Sequence, residues 1–147
     1  MSVVKDILSA KGAQVTTISP SEGLLSAITR MNAERIGCLI VTDNDDNVKG
    51  IIAERDILRS IARQQHDLSR RTVGEVMVES VIVCHATDPL TTIRSIMKTY
   101  WVRQIPVIDD DGKLQGIISM GDVNAFLLDE EDVEIKYLHD YIEGRVR

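Results

Sequence analysis

Gly50-Ile51-Ile52 recurs as Gly116-Ile117-Ile118, and most of the chain recurs with it. At the same spacing of 66 residues Asp56 falls on Asp122, Val15 on Val81, Leu24 on Leu90 and Met31 on Met97. Val41, Asp43 and Asp45 likewise fall on Val107, Asp109 and Asp111, and no gap is needed from residue 15 to residue 58. Upstream, Val4-Lys5-Asp6-Ile7-Leu8 resembles Val73-Gly74-Glu75-Val76-Met77 after a three-residue change in the following loop. A 147-residue chain with this period holds two copies of one supersecondary unit. One copy has too little core to stand alone, so the two must pack together as one pseudo-symmetric domain.

Each copy has the order strand, helix, strand, strand, helix. Val15 to Ile18 and Val81 to Cys84 are apolar enough for a first strand. Leu24, Ala27, Ile28 and Met31 form a stripe at helical spacing, with Ser21 placed to cap it. In the second copy Asp88 precedes Pro89, and Leu90, Ile93 and Met97 make the stripe. Cys38 to Thr42 with Val48 to Ala53, and Gln104 to Ile108 with Lys113 to Ser119, read as hairpins. Their turns, Asp43-Asn44-Asp45-Asp46-Asn47 and Asp109-Asp110-Asp111-Gly112, have the right chemistry. A closing helix spans Glu54 to about Arg63, then Met120 to about Leu128. The first two strands need a crossover and are expected to be parallel. The fold class is therefore α/β (α+β), two β-α-β-β-α units. Residues 1–65 form the first repeat with a short N-terminal helix, 66–71 a polar linker, 72–128 the second repeat and 129–147 a helical tail.

Composition narrows the function. Aromatics are 3% of residues, so the core must be aliphatic. A net charge of -6 repels phosphate backbones and argues against nucleic acid as a partner. No apolar run approaches the roughly 18 residues of a membrane span, and no secretory stretch is visible. The two cysteines, Cys38 and Cys84, share no metal-ligand spacing and read as small buried hydrophobes. A reducing cytoplasm is the expected compartment.

The chemistry concentrates where the third strand of each copy runs into a helix. There the chain reads Gly50-Ile51-Ile52-Ala53-Glu54-Arg55-Asp56 and Gly116-Ile117-Ile118-Ser119-Met120-Gly121-Asp122. Free amides at such a junction favour an anion, and a carboxylate one turn in accepts hydrogen bonds from neighbouring hydroxyls, as on a ribose. Ser119-x-x-Asp122 also fits a helix-capping pair. Ala53 cannot cap through its side chain, yet Asp56 persists, which argues for a role beyond capping.

The doubled Gly-apolar-apolar-Ser/Thr-x-x-Asp pattern resembles the nucleotide motif of cystathionine beta-synthase (CBS) domain pairs. Arg35-Ile36-Gly37-Cys38-Leu39-Ile40-Val41 and Val102-Arg103-Gln104-Ile105-Pro106-Val107-Ile108-Asp109, each before a hairpin turn, add to the likeness. It covers nearly the whole chain and is strongest to small stand-alone bacterial pairs. The resemblance implies two clefts between the repeats. In the main one Asp122 would hold a ribose, while Ser119 and Arg103 would meet phosphate. Thr16, Thr17, Ile36, Gly37, Cys38 and Ile117 would line the adenine side, with Met120, Gly121, Gln104 and Lys11 close by. In the second, weaker cleft Asp56 would hold a ribose and Arg55 a phosphate, with Ile51, Ile82 and Val102 around the base. Ala53 departs from the pattern there by lacking a hydroxyl.

The implied function is an adenine-nucleotide sensor. Its ligand is AMP, ADP, ATP, NAD(H) or S-adenosylmethionine, bound for regulation and not as a required cofactor. The alternative is a protein–protein interaction module whose clefts stay empty. No nucleophile or acid–base set assembles from the sequence, so no enzyme activity is expected. The Asp43 turn imitates a calcium loop but has Val48 where glycine is needed, and His66, His85 and His139 share no ligand spacing, so no metal is expected. Trp101 reads as a packing residue. The apolar face of Val133, Tyr137, Leu138, Tyr141 and Ile142 needs a partner. The resemblance implies a homodimer read by an unidentified effector protein.

Overall fold

The structure, a computed structural model, describes residues 1–64 and 67–144. The chain runs α1 (Val4–Lys11), β1 (Thr17–Ile18), α2 (Leu24–Glu34), β2 (Cys38–Thr42), β3 (Val48–Ala53) and α3 (Glu54–Gln64). A 3-10 turn (Leu68–Arg70) leads into α4 (Val73–Val76), α5 (Leu90–Tyr100), β4 (Gln104–Ile108), β5 (Leu114–Ser119) and α6 (Met120–Ile142). The 3-10 turn occupies half of the expected linker and is capped by the Asp67 carboxylate accepting from the Ser69 amide. His66 lies outside the described residues.

The apolar stripes do what their spacing predicts. Leu24, Ala27 and Met31 of α2 are buried, as are Leu90, Ile93 and Met97 of α5. β2 buries four successive residues because it is the central strand of β1-β2-β3, parallel to β1 and antiparallel to β3. Fully burying one such aliphatic side chain contributes about 1.5–3 kcal/mol. The hairpin turns close as expected. Asp43 accepts the amides of Asp45 and Asn47 on one oxygen and the Asn47 side-chain amide on the other. Its carboxyl is pulled down to about 2, first by that Asn47 side chain.

Four sequence expectations change. β1 is only Thr17–Ile18, and Val81 to Cys84 forms no strand beyond a single parallel bridge, Cys84 to Val107. Pro106 is the cause. It stands where Ile40 stands in the first copy, and it has no N–H to donate to a neighbouring parallel strand. Ser21 does not cap α2. The N-cap is Gly23 without a side-chain bond, and the Leu24 amide donates to the Arg71 carbonyl instead. The last helix does not stop near Leu128 to begin again as a tail. It is one helix of 23 residues, since the Asp-Glu-rich stretch from 129 to 134 holds no glycine or proline to end it.

The leading helix of each repeat closes the core of the other. Val4 and Ile7 of α1 are buried with Leu90, Ile93, Ile105 and Ile118. Val73 of α4 is buried with Ile18, Leu24, Leu39 and Ile52. Backbone bonds tie the exchange at matched places. Val4 N donates to Asp88 O and Leu90 N to Ser2 O; Val73 N donates to Glu22 O and Leu24 N to Arg71 O. The repeated glycines make room for it. A Cβ on Gly50 would sit 2.7 Å from Met77 Sδ and 2.8 Å from the Val78 carbonyl, and one on Gly116 would sit 2.8 Å from a Leu8 methyl.

Equivalent residues meet each other where the repeats join. Asn47 bridges Lys113 at the hairpin tips, and the Cys38 thiol donates to Gln104 Oε1. Both pairs are 66 residues apart, so both lie on the local two-fold axis.

Candidate functional site

Each β3-to-α3 and β5-to-α6 junction has no loop, so the first turn of the helix stands directly at the end of its strand. Ser119 is the N-cap of α6. Its hydroxyl accepts the Asp122 amide at 3.1 Å, and Asp122 Oδ2 accepts the Ser119 amide at 2.9 Å. This is a capping box. Asp56 makes the same return bond without a hydroxyl partner: its Oδ2 accepts the Ala53 amide at 2.8 Å. The persistence of Asp56 beside Ala53 is thus accounted for by backbone capping, and it is not by itself an argument for a ligand.

The two acids stand in different clefts. Asp56 lies in a cavity of about 560 Å³ with Ala53, Arg55, Ile51, Ile82 and Val102, which the sequence groups with it. Gly37, Cys38, Arg103 and Gln104 line this cleft too. Asp122 lies in a cavity of about 270 Å³ with Ser119, Ile117, Lys11, Thr16, Ile36, Cys38 and Gln104. Cys38 and Gln104 line both and form the partition between them, as their place on the local axis requires.

Five expected residues fall outside the Asp122 cleft. Arg103 and Gly37 face the Asp56 cleft; each also gives its carbonyl to the start of a helix, Arg103 to the Met120 amide and Gly37 to the Glu54 amide. Thr17 belongs to β1, and its carbonyl accepts Arg30 Nη1 at 2.7 Å. Met120 packs on the second core. Gly121 sits over the Ser119 hydroxyl, 3.7 Å from where its Cβ would be.

Lys11 reaches Asp122 as its sequence position suggests, and ties it. Its Nζ lies 2.7 Å from Asp122 Oδ2. Partial burial opposes ionisation of Asp122, but hydrogen bonds from Lys11 and Ser119 outweigh it and hold the carboxyl below its usual range. The ion pair is partly exposed, so it is worth about 1 kcal/mol or less. Burial pushes the Cys38 thiol up to about 11, with the Asp56 charge adding to the effect. Burial likewise pushes Cys84 up to about 12. Neither is a thiolate nucleophile at neutral pH.

Six further lining residues of the Asp56 cleft are ones the sequence assigns to neither cleft: Glu54, Arg59, Val78, Ser80, Val81 and Trp101. Arg59 was legible as one helical turn beyond Arg55. Trp101 is 88% exposed at the cleft, so it is not the packing residue that its place at a helix end suggests. It adopts a left-handed conformation, φ 56°, at the C-cap of α5, which turns the chain into the cleft wall.

The chain is similar to solved structures over most of its length. The CBS-domain containing protein ATU1752 from Agrobacterium tumefaciens is 35% identical, with a TM-score of 0.77 over 84% of this chain and 98% of that one. CBSX2, solved in complex with AMP, is 21% identical with a TM-score of 0.75, covering 89% of this chain and 99% of its own. The CBS domain pair of MJ0100, solved with 5-methylthioadenosine and S-adenosyl-L-methionine, is 23% identical with a TM-score of 0.72, covering 88% and 98%. These last two share the fold. The CBS domain family model matches twice, over residues 4–63 and 73–129, and the chain therefore belongs to the CBS-domain family as a tandem pair.

Proposed function

We propose that this chain is a regulatory module that binds an adenosine-bearing small molecule between its repeats. The observation that carries the reading is the doubled one. Two clefts between the repeats each place a carboxylate at a strand-to-helix junction beside an apolar wall. A carboxylate so placed accepts both hydroxyls of a ribose, and the aliphatic wall suits a purine. Related pairs with the same fold hold AMP, or S-adenosyl-L-methionine and 5-methylthioadenosine, which supports the adenosine class. AMP, ADP, ATP, NAD(H) and S-adenosylmethionine are the candidates.

Regulation follows from position. A ligand between two repeats shifts their arrangement to the extent that it binds one arrangement better. Leu58 and Ile61 of α3 and Leu128 and Val133 of α6 are exposed apolar residues, which supports a homodimer through these helices. Two free thiols suit a reducing cytoplasm, and among the described residues no helix is long and apolar enough to cross a membrane. An effector protein would read the ligand state.

Isothermal titration with the five compounds, on wild type and on Asp56→Asn and Asp122→Asn, tests the reading. Saturable binding of one compound, weakened by at least one substitution, is expected. Silence across the panel would leave the second reading, an interaction module with empty clefts. One observation favours that alternative: Lys11 Nζ already engages the Asp122 carboxylate at 2.7 Å.

A further inference from the structure

We infer that the Asp56 cleft takes a nucleotide carrying a chain of phosphates, a nucleoside di- or triphosphate, in preference to a monophosphate. The inference rests on the adenosine reading above and specifies its ligand.

The cleft does not end at the ribose position. A second hollow of about 310 Å³ continues from it, and Asp56, Arg59 and Val78 line both. The combined groove runs along α3. Arg55, Arg59 and Arg63 stand four residues apart on that helix, one row with a rise of about 6 Å per step. Among the described residues none of the three has an ion-pair partner. Arg103 comes from the other repeat. Arg71 closes the far end, held by Glu75 at 2.8 Å.

Charge decides the ligand class. Around the groove stand five arginines against three carboxylates, Glu54, Asp56 and Glu75. In a chain of net charge -6 this is a local reversal of sign. Among the described residues the Asp122 cleft has one cation, Lys11, and that is spent on Asp122. A row of guanidinium groups longer than one phosphate has surplus donors for a monophosphate and suits several phosphates in series. A single phosphate meets Arg55 near the helix start, whereas Arg59 and Arg63 lie farther along.

Trp101 is the sole tryptophan in the chain and lines this cleft, so its fluorescence reports occupancy there. The experiment is a fluorescence titration of the full chain with AMP, ADP and ATP in magnesium-free buffer. Calorimetry is run in parallel on wild type, Asp56→Asn, Asp122→Asn and the double variant Arg59→Ala/Arg63→Ala. Both arginines are exposed, so the double variant keeps the fold, which its melting temperature checks. ATP is expected to bind about tenfold or more tighter than AMP. The double variant is expected to weaken ATP by about that factor and leave AMP nearly unchanged. Equal affinities for AMP and ATP, or equal losses in the double variant, would overturn the polyphosphate assignment and leave the adenosine reading intact. Binding that responds to Asp122→Asn and not to Asp56→Asn would overturn the choice of cleft alone. No heat and no fluorescence change with any nucleotide would remove the adenosine reading, and this inference with it.

Discussion

The two clefts are copies of one design with opposite electrostatics. Where the strand-to-helix junction at Asp122 has Ser119, Gly121 and Ala125, the junction at Asp56 has Ala53, Arg55 and Arg59. Lys11 ends the eight-residue helix α1, and its counterpart in the second copy is Ser80. That copy's helix, α4, stops after four residues, and Val78 then pairs with Ile51 of β3. So α1 carries a cation up to Asp122, while the matching segment unwinds, brings no cation to Asp56 and leaves a wider cavity there. The difference teaches that a repeat preserves the scaffold of a site more strictly than its charge. The backbone positions of both acids are set by the same junction, but each side chain around them was free to diverge.

The largest asymmetry to test is in stability. Gly50→Ala forces its methyl onto a backbone carbonyl and Met77, whereas Gly116→Ala meets only the end of the flexible Leu8 side chain. Gly50→Ala is expected to cost about 2–3 kcal/mol and Gly116→Ala about 1 kcal/mol or less. Urea unfolding of both would measure it, and equal losses would mean that the two exchanged helices pack with equal give.

Next comes ligand affinity. Asp56→Asn is expected to weaken nucleotide binding ten- to a hundredfold, about the loss of one charge-assisted hydrogen bond. Asp122→Asn is expected to change it by less than about threefold, since Lys11 already engages that acid. Dissociation constants that fall the other way would make Ser119/Asp122 the principal site.

A smaller effect belongs to the ion pair. The Asp122 carboxyl is held below its ordinary value, so its contribution to stability is present above about pH 3.9, the unfolded value. That contribution is lost as pH falls through the lower folded value. Lys11→Ala is expected to lower stability by at most about 1 kcal/mol at neutral pH and to flatten the loss of stability below pH 4. Melting temperatures from pH 6 to pH 3 would show it; parallel curves for the two proteins would exclude the pair as a stabilising contact.

The last effect is chemical and leaves the fold and the affinity unchanged. With its thiol near 11, Cys38 should alkylate about a hundredfold more slowly at pH 8 than an unperturbed thiol near 9. A bound nucleotide should slow it further, since Cys38 lines both clefts. Rapid labelling would mean that the partition opens in solution.

Much of this was legible in the residues. The 66-residue repeat, the two helix stripes and the acidic turns announced the elements of each copy. Pro106 was visible as well, but its consequence was not. Only once Val83 and Pro106 were seen as the counterparts of Thr17 and Ile40 did the missing N–H explain the missing strand. Arg55, Arg59 and Arg63 could be read as a row on a helix, yet nothing in that spacing said that Arg103 would face the same cleft.

The sequence by itself determined the local elements, the repeat that relates them and the acid at each strand-to-helix junction. These depend on periodicity, capping and turn chemistry, which act over a few residues. The tertiary structure alone decided that α1 and α4 change places, that Cys38 meets Gln104 on the axis, and that Lys11, expected only near that cleft, pairs with the Asp122 carboxylate itself. Those contacts exist only after two half-cores pack against each other. Which side chains then share a cleft is set by that packing and not by any interval along the chain.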